Sequence, residues 1–339
     1  MITFRDFMEL ALYDPKKGFY SRRRLLEDFY TAPELHVSFA AILAKEFIRQ
    51  LSSLKQKKIA PPYFLVEMGS GSGRLARDIL TALKSNHPET LAQIQYVLVE
   101  RTENLLLESL VSLSSFGIKI LGYTDLKDLP PCHGIFFSNE LLDSFPVHLL
   151  QKKNGRVMEV YVRSKDNVEH KEFSSEIQFG ELSSEELKPF ADRLVSSLEE
   201  GERSAVNLEA LRWIRLVGEK IKAGSVITVD YGRRLSVGIP LPIKTFHQHQ
   251  LGDDPFKDPG QKDITTQVDF EPLILEGERR GLKLEAYENL GKFLLDRGIL
   301  ELLPAGSSLS EFKERNQVKT LFHPEGMGEI YKVLIQVKS

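Results

Sequence analysis

The chain reads as an α/β protein on a doubly wound, Rossmann-like sheet, and three observations predict it. First, "YFLVEM" (63–68) is an apolar run that enters a glycine turn, "GSGSG" (69–73), followed by the amphipathic segment "RLARDILTALKS" (74–85). Second, "IQYVLVE" (94–100) and "HGIFFSNE" (133–140) show almost no polar alternation, as expected of parallel strands buried on both faces. Third, helix-period segments separate these runs, the pattern of a parallel sheet covered by helices.

The elements follow in order. Residues 1–60 are mostly helical, with Phe4, Phe7, Met8 and Leu12, then Phe39, Leu43 and Phe47, at helical spacing. Between them "YDPKKGFYSRRRLLEDFYTAPE" (13–34) is loop-like and rich in aromatics. Thr31 and Glu34 stand at capping-box spacing. "KQKK" (55–58) is a surface linker before the first strand, and "RRR" (22–24) is a solvated turn or a contact for an acidic partner. After the second strand come a helix in "ENLLLESLVSL" (103–113) and a short strand in "GIKIL" (117–121).

Residues 148–204 break the rhythm. Asn154-Gly155 marks a hairpin turn, and the polar stretch at 164–190 reads as part of an α+β insertion. A helix near 207–222 leads into the buried strand "GSVITVDYG" (224–232). An irregular loop follows at 233–267. Asp263, Thr265 and Asp269 organise it and start a helix at Phe270; "GLKLEAYE" and "EIYKVLIQVK" then form two late strands. The expected layout is an N-terminal helical segment at 1–60 and one catalytic domain at 61–339 that carries the insertion and the loop.

Bulk composition narrows the class. The 339 residues are 42% hydrophobic and 27% charged, with a net charge of −3, which suits a globular chain and disfavours nucleic-acid binding. Cys132 is the single cysteine, so neither an internal disulfide nor a thiolate metal cluster is expected. No apolar run approaches the roughly 20 residues a membrane span needs. The first residues lack a signal core and an Arg/Ser-rich transit pattern, which leads to the expectation of a cytoplasmic protein.

Glycines let the backbone of the turn approach a ligand, with helix amides pointing at it. A dinucleotide fingerprint needs a third glycine at 74, where the chain has Arg74. Glu100 ends the next strand, placed to accept hydrogen bonds from ribose hydroxyls. That acid serves nicotinamide and S-adenosylmethionine enzymes alike. Glu67, just before the turn, leans toward the second. Asn139 and Glu140 end the fourth strand, where open sheets bind ligands, and Asp143 follows three residues later. If a helical turn begins there, the two carboxylates share one face. The plain alternative is an asparagine cap followed by solvated acids.

"ALYDPKKGFYSRR", "DFYTAPE", "EMGSGSGRLARDIL", "NELLDSFPVH", "VDYG", "PGQKDITTQVDF" and "GMGEIYKVL" occur in this order from Ala11 to Leu334. With them the chain resembles the MidA family of S-adenosylmethionine-dependent methyltransferases, which includes the mitochondrial complex I assembly enzyme that modifies a protein arginine. The resemblance implies a class I methyltransferase fold ending in an antiparallel strand pair. It implies S-adenosyl-L-methionine held by Glu67, Gly69, Gly71, Gly73 and Glu100, with Tyr20 and Thr31 on a covering segment between Gly18 and Pro33, where Phe19 and Phe29 line the pocket or fill core. It further implies an acceptor site at Asn139, Glu140 and Asp143, and a protein substrate such as a respiratory complex I-type subunit. Two positions depart from the family: Ser70 stands where proline is usual, and Glu27 where glycine is usual.

A protonated guanidinium is a poor nucleophile, and paired carboxylates hold it bidentately. Glu140 and Asp143 are the candidates for that work, Asn139 for orienting the loop, and Tyr231 for the border of the same pocket or for core. His247 and His249 lack a third ligand at metal spacing, so no metal is expected. Two alternatives remain: a methyltransferase acting on a small molecule, and a non-catalytic assembly factor that binds the cofactor for stability. "NELLDSFP" lacks the D/N-P-P-Y arrangement of DNA amino-methyltransferases.

Overall fold

The computed structural model describes residues 1–22, 32–167, 170–235, 239–247, 250–306 and 308–339. They divide into two compact units, each assembled from segments distant in sequence. One comprises Met1–Phe29, Leu142–Trp213 and Arg233–Leu273; the other comprises Tyr30–Leu141, Ile214–Gly232 and Ile274–Ser339.

The second unit carries the main sheet. Helix α1 (Ser38–Gln56) precedes β1 (Tyr63–Met68), and α2 (Arg74–Asn86), β2 (Ile94–Val99), α3 (Glu103–Leu113), β3 (Ile120–Tyr123) and β4 (Cys132–Asn139) follow. Strands β5 (Ile221–Arg233), β6 (Lys283–Asn289) and β7 (Tyr331–Lys338) complete it. The order across the sheet is β6–β7–β5–β4–β1–β2–β3. Strands β1 to β5 pair in parallel, whereas β7 runs antiparallel to both β5 and β6. This is the doubly wound sheet with a closing antiparallel pair that the sequence predicts.

Its sequence logic is simple. Leu65, Tyr96, Ile135, Phe137 and Ile227 are buried on one face of the sheet, against Phe39, Leu43 and Phe47 of α1 and Leu75, Ile79 and Leu83 of α2. Those helical residues recur every three or four positions, so each helix presents one apolar stripe to the strands. Phe47 and Phe137 meet with ring centroids 4.8 Å apart. Helix α2 stops where Pro88 follows His87, whose amide still donates to the Leu83 carbonyl at 2.8 Å.

Register sets the site. Met68 lies opposite both Val99 and Ser138, and Asn139 lies opposite Val229, so the carboxyl ends of β1, β2, β4 and β5 are level. The chain leaves β1 for β2 and β3 on one side and returns to β4 on the other. That reversal opens a crevice beyond the strand ends, the usual ligand position in such sheets.

The first unit holds a sheet ordered Ile2–Thr3, Arg156–Asn167, His148–Lys153, Arg203–Val206, with His170–Gly180 pairing along Arg156–Asn167. Helix Phe4–Tyr13, capped by the Thr3 hydroxyl, packs Phe4, Phe7 and Met8 in one apolar cluster with Leu149, Val160 and Val162. Asn154 and Gly155 have φ of 52° and 71° between paired Lys153 and Arg156, the two-residue turn foreseen there. Two regions differ from the sequence reading. The polar stretch after 164 contains the strand His170–Gly180, whose ladder partner among the described residues is Arg156–Asn167; such an edge ribbon needs no apolar alternation. The loop read as irregular holds a small sheet of Ile243–His247, Gln250–Gly252 and Asp263–Thr266, strands too short to show a period. Among the described residues no helix is long and apolar enough to cross a membrane.

Candidate active site

In the second unit, the glycine turn is clamped by its neighbours. The Gly69 amide donates to the Val99 carbonyl at 2.8 Å, the Gly73 amide to the Ser70 carbonyl at 2.8 Å, and the Gly71 amide to Glu100 Oε2 at 3.0 Å. Glu100 Oε1 accepts the Thr102 amide at 2.9 Å. Ser109, buried on α3, donates its hydroxyl to the Gly71 carbonyl at 3.1 Å. Gly71 and Gly73 have φ of +49° and +72°, and a Cβ on Gly73 would sit 2.8 Å from Ser109 Oγ. A side chain has no room at Gly73, and the left-handed backbone at Gly71 disfavours a branched one. Helix α2 starts after Gly73 without a side-chain cap, which leaves first-turn amides for an anion. The Arg74 side chain leans along its own helix toward Asp78, 4.0 Å away.

This turn fits an adenosyl cofactor. Glu100, an acceptor-only group with a fixed direction, suits ribose hydroxyls. Ser70 supplies a buried hydroxyl with no hydrogen-bond partner among the described residues. Leaving such a group unsatisfied costs about 1–3 kcal/mol, and its place in the turn makes it available to a polar ligand there. Glu67 lies one strand position before Met68 and is buried; Tyr96 on β2 donates its hydroxyl to Glu67 Oε2 at 2.6 Å. Burial pushes the Glu67 carboxyl up to about 8; the Tyr96 hydrogen bond pulls it down and nearby Glu100 adds to the rise.

At the end of β4 the chain changes direction sharply. Glu140 has φ of +50°, its amide donates to the Val229 carbonyl at 2.9 Å, and no helix follows it. The helical turn that would have set both carboxylates on one face is therefore absent: Glu140 is left-handed, which a residue inside a right-handed helix cannot be, and a bend and turn follow it. Lys58, Asn154 and Asp258, the other non-glycine residues with positive φ among those described, are all exposed, whereas Glu140 is half-buried. Such backbone costs roughly 1–3 kcal/mol, so the surrounding structure must hold this half-buried acid in place. Donors among the described residues hold the carboxylate. The Ala32 amide reaches Oε1 at 3.2 Å, Asn139 Nδ2 reaches the same oxygen at 3.1 Å, and the Tyr331 hydroxyl reaches Oε2 at 3.0 Å. Tyr231 packs its ring 5.9 Å from that of Tyr331, so it braces this group from β5.

Asp143 belongs to the first unit, where it is buried and its carbonyl accepts the Thr266 amide at 3.0 Å. Tyr20 is in the same unit. Its hydroxyl donates to Asp263 Oδ1 at 3.0 Å, and its ring stacks on Tyr13 with centroids 5.3 Å apart. Burial first, then Asp263, Tyr13 and Asp143, hold the Tyr20 phenol well above its ordinary range, so it stays protonated. The Tyr13 hydroxyl in turn donates to the Ser144 carbonyl at 3.0 Å. Thr31, Phe29 and His249 lie outside the described residues.

The structure thus brings Glu67, the glycine turn and Glu100 together, and separately gathers Asn139 and Glu140. Sequence reasoning missed Tyr96, Tyr331 and the Ala32 amide as partners. A tyrosine inside an otherwise apolar buried strand, as in "IQYVLV", is a signal that its hydroxyl has a polar neighbour.

A doubly wound sheet with this turn and this acid is the arrangement of the nucleotide-cofactor enzymes, methyltransferases among them. Residues 42–287, more than half the chain, match the family described as "Putative S-adenosyl-L-methionine-dependent methyltransferase", and the chain belongs to that family. Its cofactor is S-adenosylmethionine, and the nicotinamide alternative falls with that. The chain is similar to the mitochondrial protein arginine methyltransferase NDUFAF7 of Mus musculus, 29% identical over 97% of this chain and 79% of the relative. The Homo sapiens protein of that name is 28% identical over 97% of this chain and 78% of its own length. A crystal structure from Burkholderia thailandensis with S-adenosyl-homocysteine bound superposes with a TM-score of 0.80 and 26% identity, covering 99% of this chain and 88% of that one. These relatives are named mitochondrial, which overturns the expectation of a cytoplasmic protein. That expectation leaned on a lone cysteine, near-neutral charge and the first residues. The first two suit any reducing interior equally, and a targeting segment is not part of a mature fold.

Proposed function

We propose that this methyltransferase transfers a methyl group to an arginine of a protein substrate, with Glu140 as the carboxylate that holds the guanidinium. The carrying observation is Glu140 itself, a strained, half-buried acid at the carboxyl end of β4 whose oxygens are aimed by Ala32, Asn139 and Tyr331. The names of the relatives support arginine as the acceptor. S-adenosylmethionine, when bound, supplies a methyl already made electrophilic by its sulfonium. The protein then has to place an acceptor nitrogen in line and manage charge. Glu140 draws positive charge toward one edge of the guanidinium, which raises electron density on the reacting nitrogen. As the N–CH3 bond forms and the S–CH3 bond breaks, one N–H proton leaves, and the carboxylate edge is its first acceptor on the way to water.

Asp143 is the second carboxylate in this reading and Asn139 the residue that orients the first. Glu67, Gly69, Gly71, Gly73 and Glu100 bind the cofactor, with Tyr20 and Thr31 on the segment that covers it. Within residues 1–60 that covering role falls to the stretch between Gly18 and Pro33, since Ser38–Gln56 packs on the main sheet. A subunit of a respiratory complex I-type assembly is the favoured acceptor, since the sequence motifs follow the family that contains such an enzyme.

A labelled-methyl assay against cell extract, followed by mass spectrometry, tests the reading. Methylarginine in a protein is expected. Glu140→Gln should cut transfer about a hundredfold or more, the scale of losing one electrostatic stabiliser, and leave S-adenosyl-homocysteine affinity within a few-fold. Label confined to small metabolites would point to a small-molecule acceptor. Methylarginine that persists in a Glu140→Gln/Asp143→Asn double variant would place the chemistry elsewhere.

A further inference from the structure

We propose that Ser70 donates its hydroxyl to the methionine carboxylate of the methyl donor and thereby selects donors that carry that carboxylate. The inference rests on the reading that the glycine turn holds S-adenosylmethionine. Backbone groups around Ser70 have protein partners: the amides of Gly69, Gly71 and Gly73 donate to Val99, Glu100 and Ser70, and the Gly71 carbonyl accepts from Ser109. The Ser70 side chain does not. It is 6% exposed, and its hydroxyl has no hydrogen-bond partner among the described residues.

Two features of the loop therefore seek an acceptor. One is that buried O–H; the other is the start of the 13-residue α2, where Gly73 brings no capping side chain and the helix dipole favours negative charge. Ser70 and the α2 start are tied into one tight loop, since the Ser70 carbonyl accepts the Gly73 amide at 2.8 Å. The donor molecule offers one anionic group, its α-carboxylate. Its ribose hydroxyls are donors as well as acceptors, and they match Glu100, which can only accept. The chemistry sorts the two ends of the ligand accordingly: carboxylate to Ser70 and α2, ribose to Glu100.

The test is calorimetry on the full chain and Ser70→Ala, titrated with S-adenosyl-homocysteine and with decarboxylated S-adenosylmethionine. A hydrogen bond to a charged group is worth about tenfold to a hundredfold in affinity. We expect Ser70→Ala to lose at least tenfold for S-adenosyl-homocysteine and nothing for the decarboxylated compound. Because the variant removes an unsatisfied buried hydroxyl, the ligand-free protein should melt no lower than the parent, and roughly 1–3 °C higher. An equal loss for both ligands would show that Ser70 shapes the turn and touches no carboxylate, which overturns the proposal. So would unchanged affinity for S-adenosyl-homocysteine in the variant. Failure of the parent chain to bind either compound would instead bring down the cofactor reading, and this inference with it.

Discussion

Glu100 and Glu140 stand at the same carboxyl edge of one sheet and are held in opposite ways. Glu100 takes its hydrogen bonds from the amides of Thr102 and Gly71, two and 29 positions away, both fixed by a strand–turn–helix unit. Glu140 depends on side chains and on a distant amide: its neighbour Asn139, the Ala32 amide 108 positions back and the Tyr331 hydroxyl 191 positions ahead. A site made from backbone is rigid and tolerates no added atoms. A site made from collected side chains can be weakened by degrees, because each donor is removable without moving the chain. Binding and chemistry should therefore respond to mutation in different styles.

The largest effect should come from filling the turn. Gly71→Leu sets a branched side chain on left-handed backbone, and calorimetry should find S-adenosyl-homocysteine binding all but abolished. If that variant bound within tenfold of the parent, the backbone-built half of the comparison would be wrong. Next, Tyr331→Phe deletes one donor to Glu140 and should slow methyl transfer about tenfold, the worth of a hydrogen bond to a charged group, with cofactor affinity unchanged. A loss as deep as that of Glu140→Gln would mean the donors act as one unit, not as separable supports.

A subtler effect is expected in stability against pH. With its carboxyl raised from an ordinary value of 4.5 to about 8, Glu67 keeps a proton in the folded state that the unfolded chain has released. That contribution is whole below 4.5, drains as pH climbs, and is gone above about 8. Glu67→Gln, which keeps a neutral partner for Tyr96, should flatten this decline in melting temperature between those limits. A melting curve that falls as steeply in the variant would show that Glu67 is ionised in the folded protein. The smallest response should be that of Cys132. Burial pushes its thiol up to about 12, so a disulfide reagent at pH 8 should leave native protein unlabelled and react only after denaturant is added.

How much could be read in advance follows the same division. The strands, the turn and Glu100 were legible because each rests on patterns a few residues long: unalternating apolar runs, glycines at fixed offsets, an acid closing the next strand. The hairpin at Asn154-Gly155 was legible for the same reason. The partners of Glu140 were not, since "GMGEIYKVL" reveals nothing by itself about which hydroxyl of a late strand will meet a fourth-strand acid. Nor was the break after Asn139. "NELLD" satisfies helix propensity, and those five residues do not reveal the left-handed backbone at Glu140 or its tie to Val229 on the neighbouring strand. Tyr96 falls between these cases, visible as an odd residue in a buried strand but silent about which acid it serves.

The place of Tyr331 on β7 has a consequence for how the molecule is made. A ribosome adds about 5–20 residues per second. Glu140 therefore leaves the peptidyl-transferase centre roughly 10–40 seconds before the tyrosine that aims it, 191 positions later, has been synthesised. Over that interval the nascent chain already contains the whole glycine turn and the strands that flank it. On the proposed reading, its donor pocket can assemble during translation, while Glu140 waits first for Val229, which fixes its bend, and then for one of the final strands of the sheet. If Glu140 is the acid that the reaction needs, the nascent protein can hold its donor before it can use it.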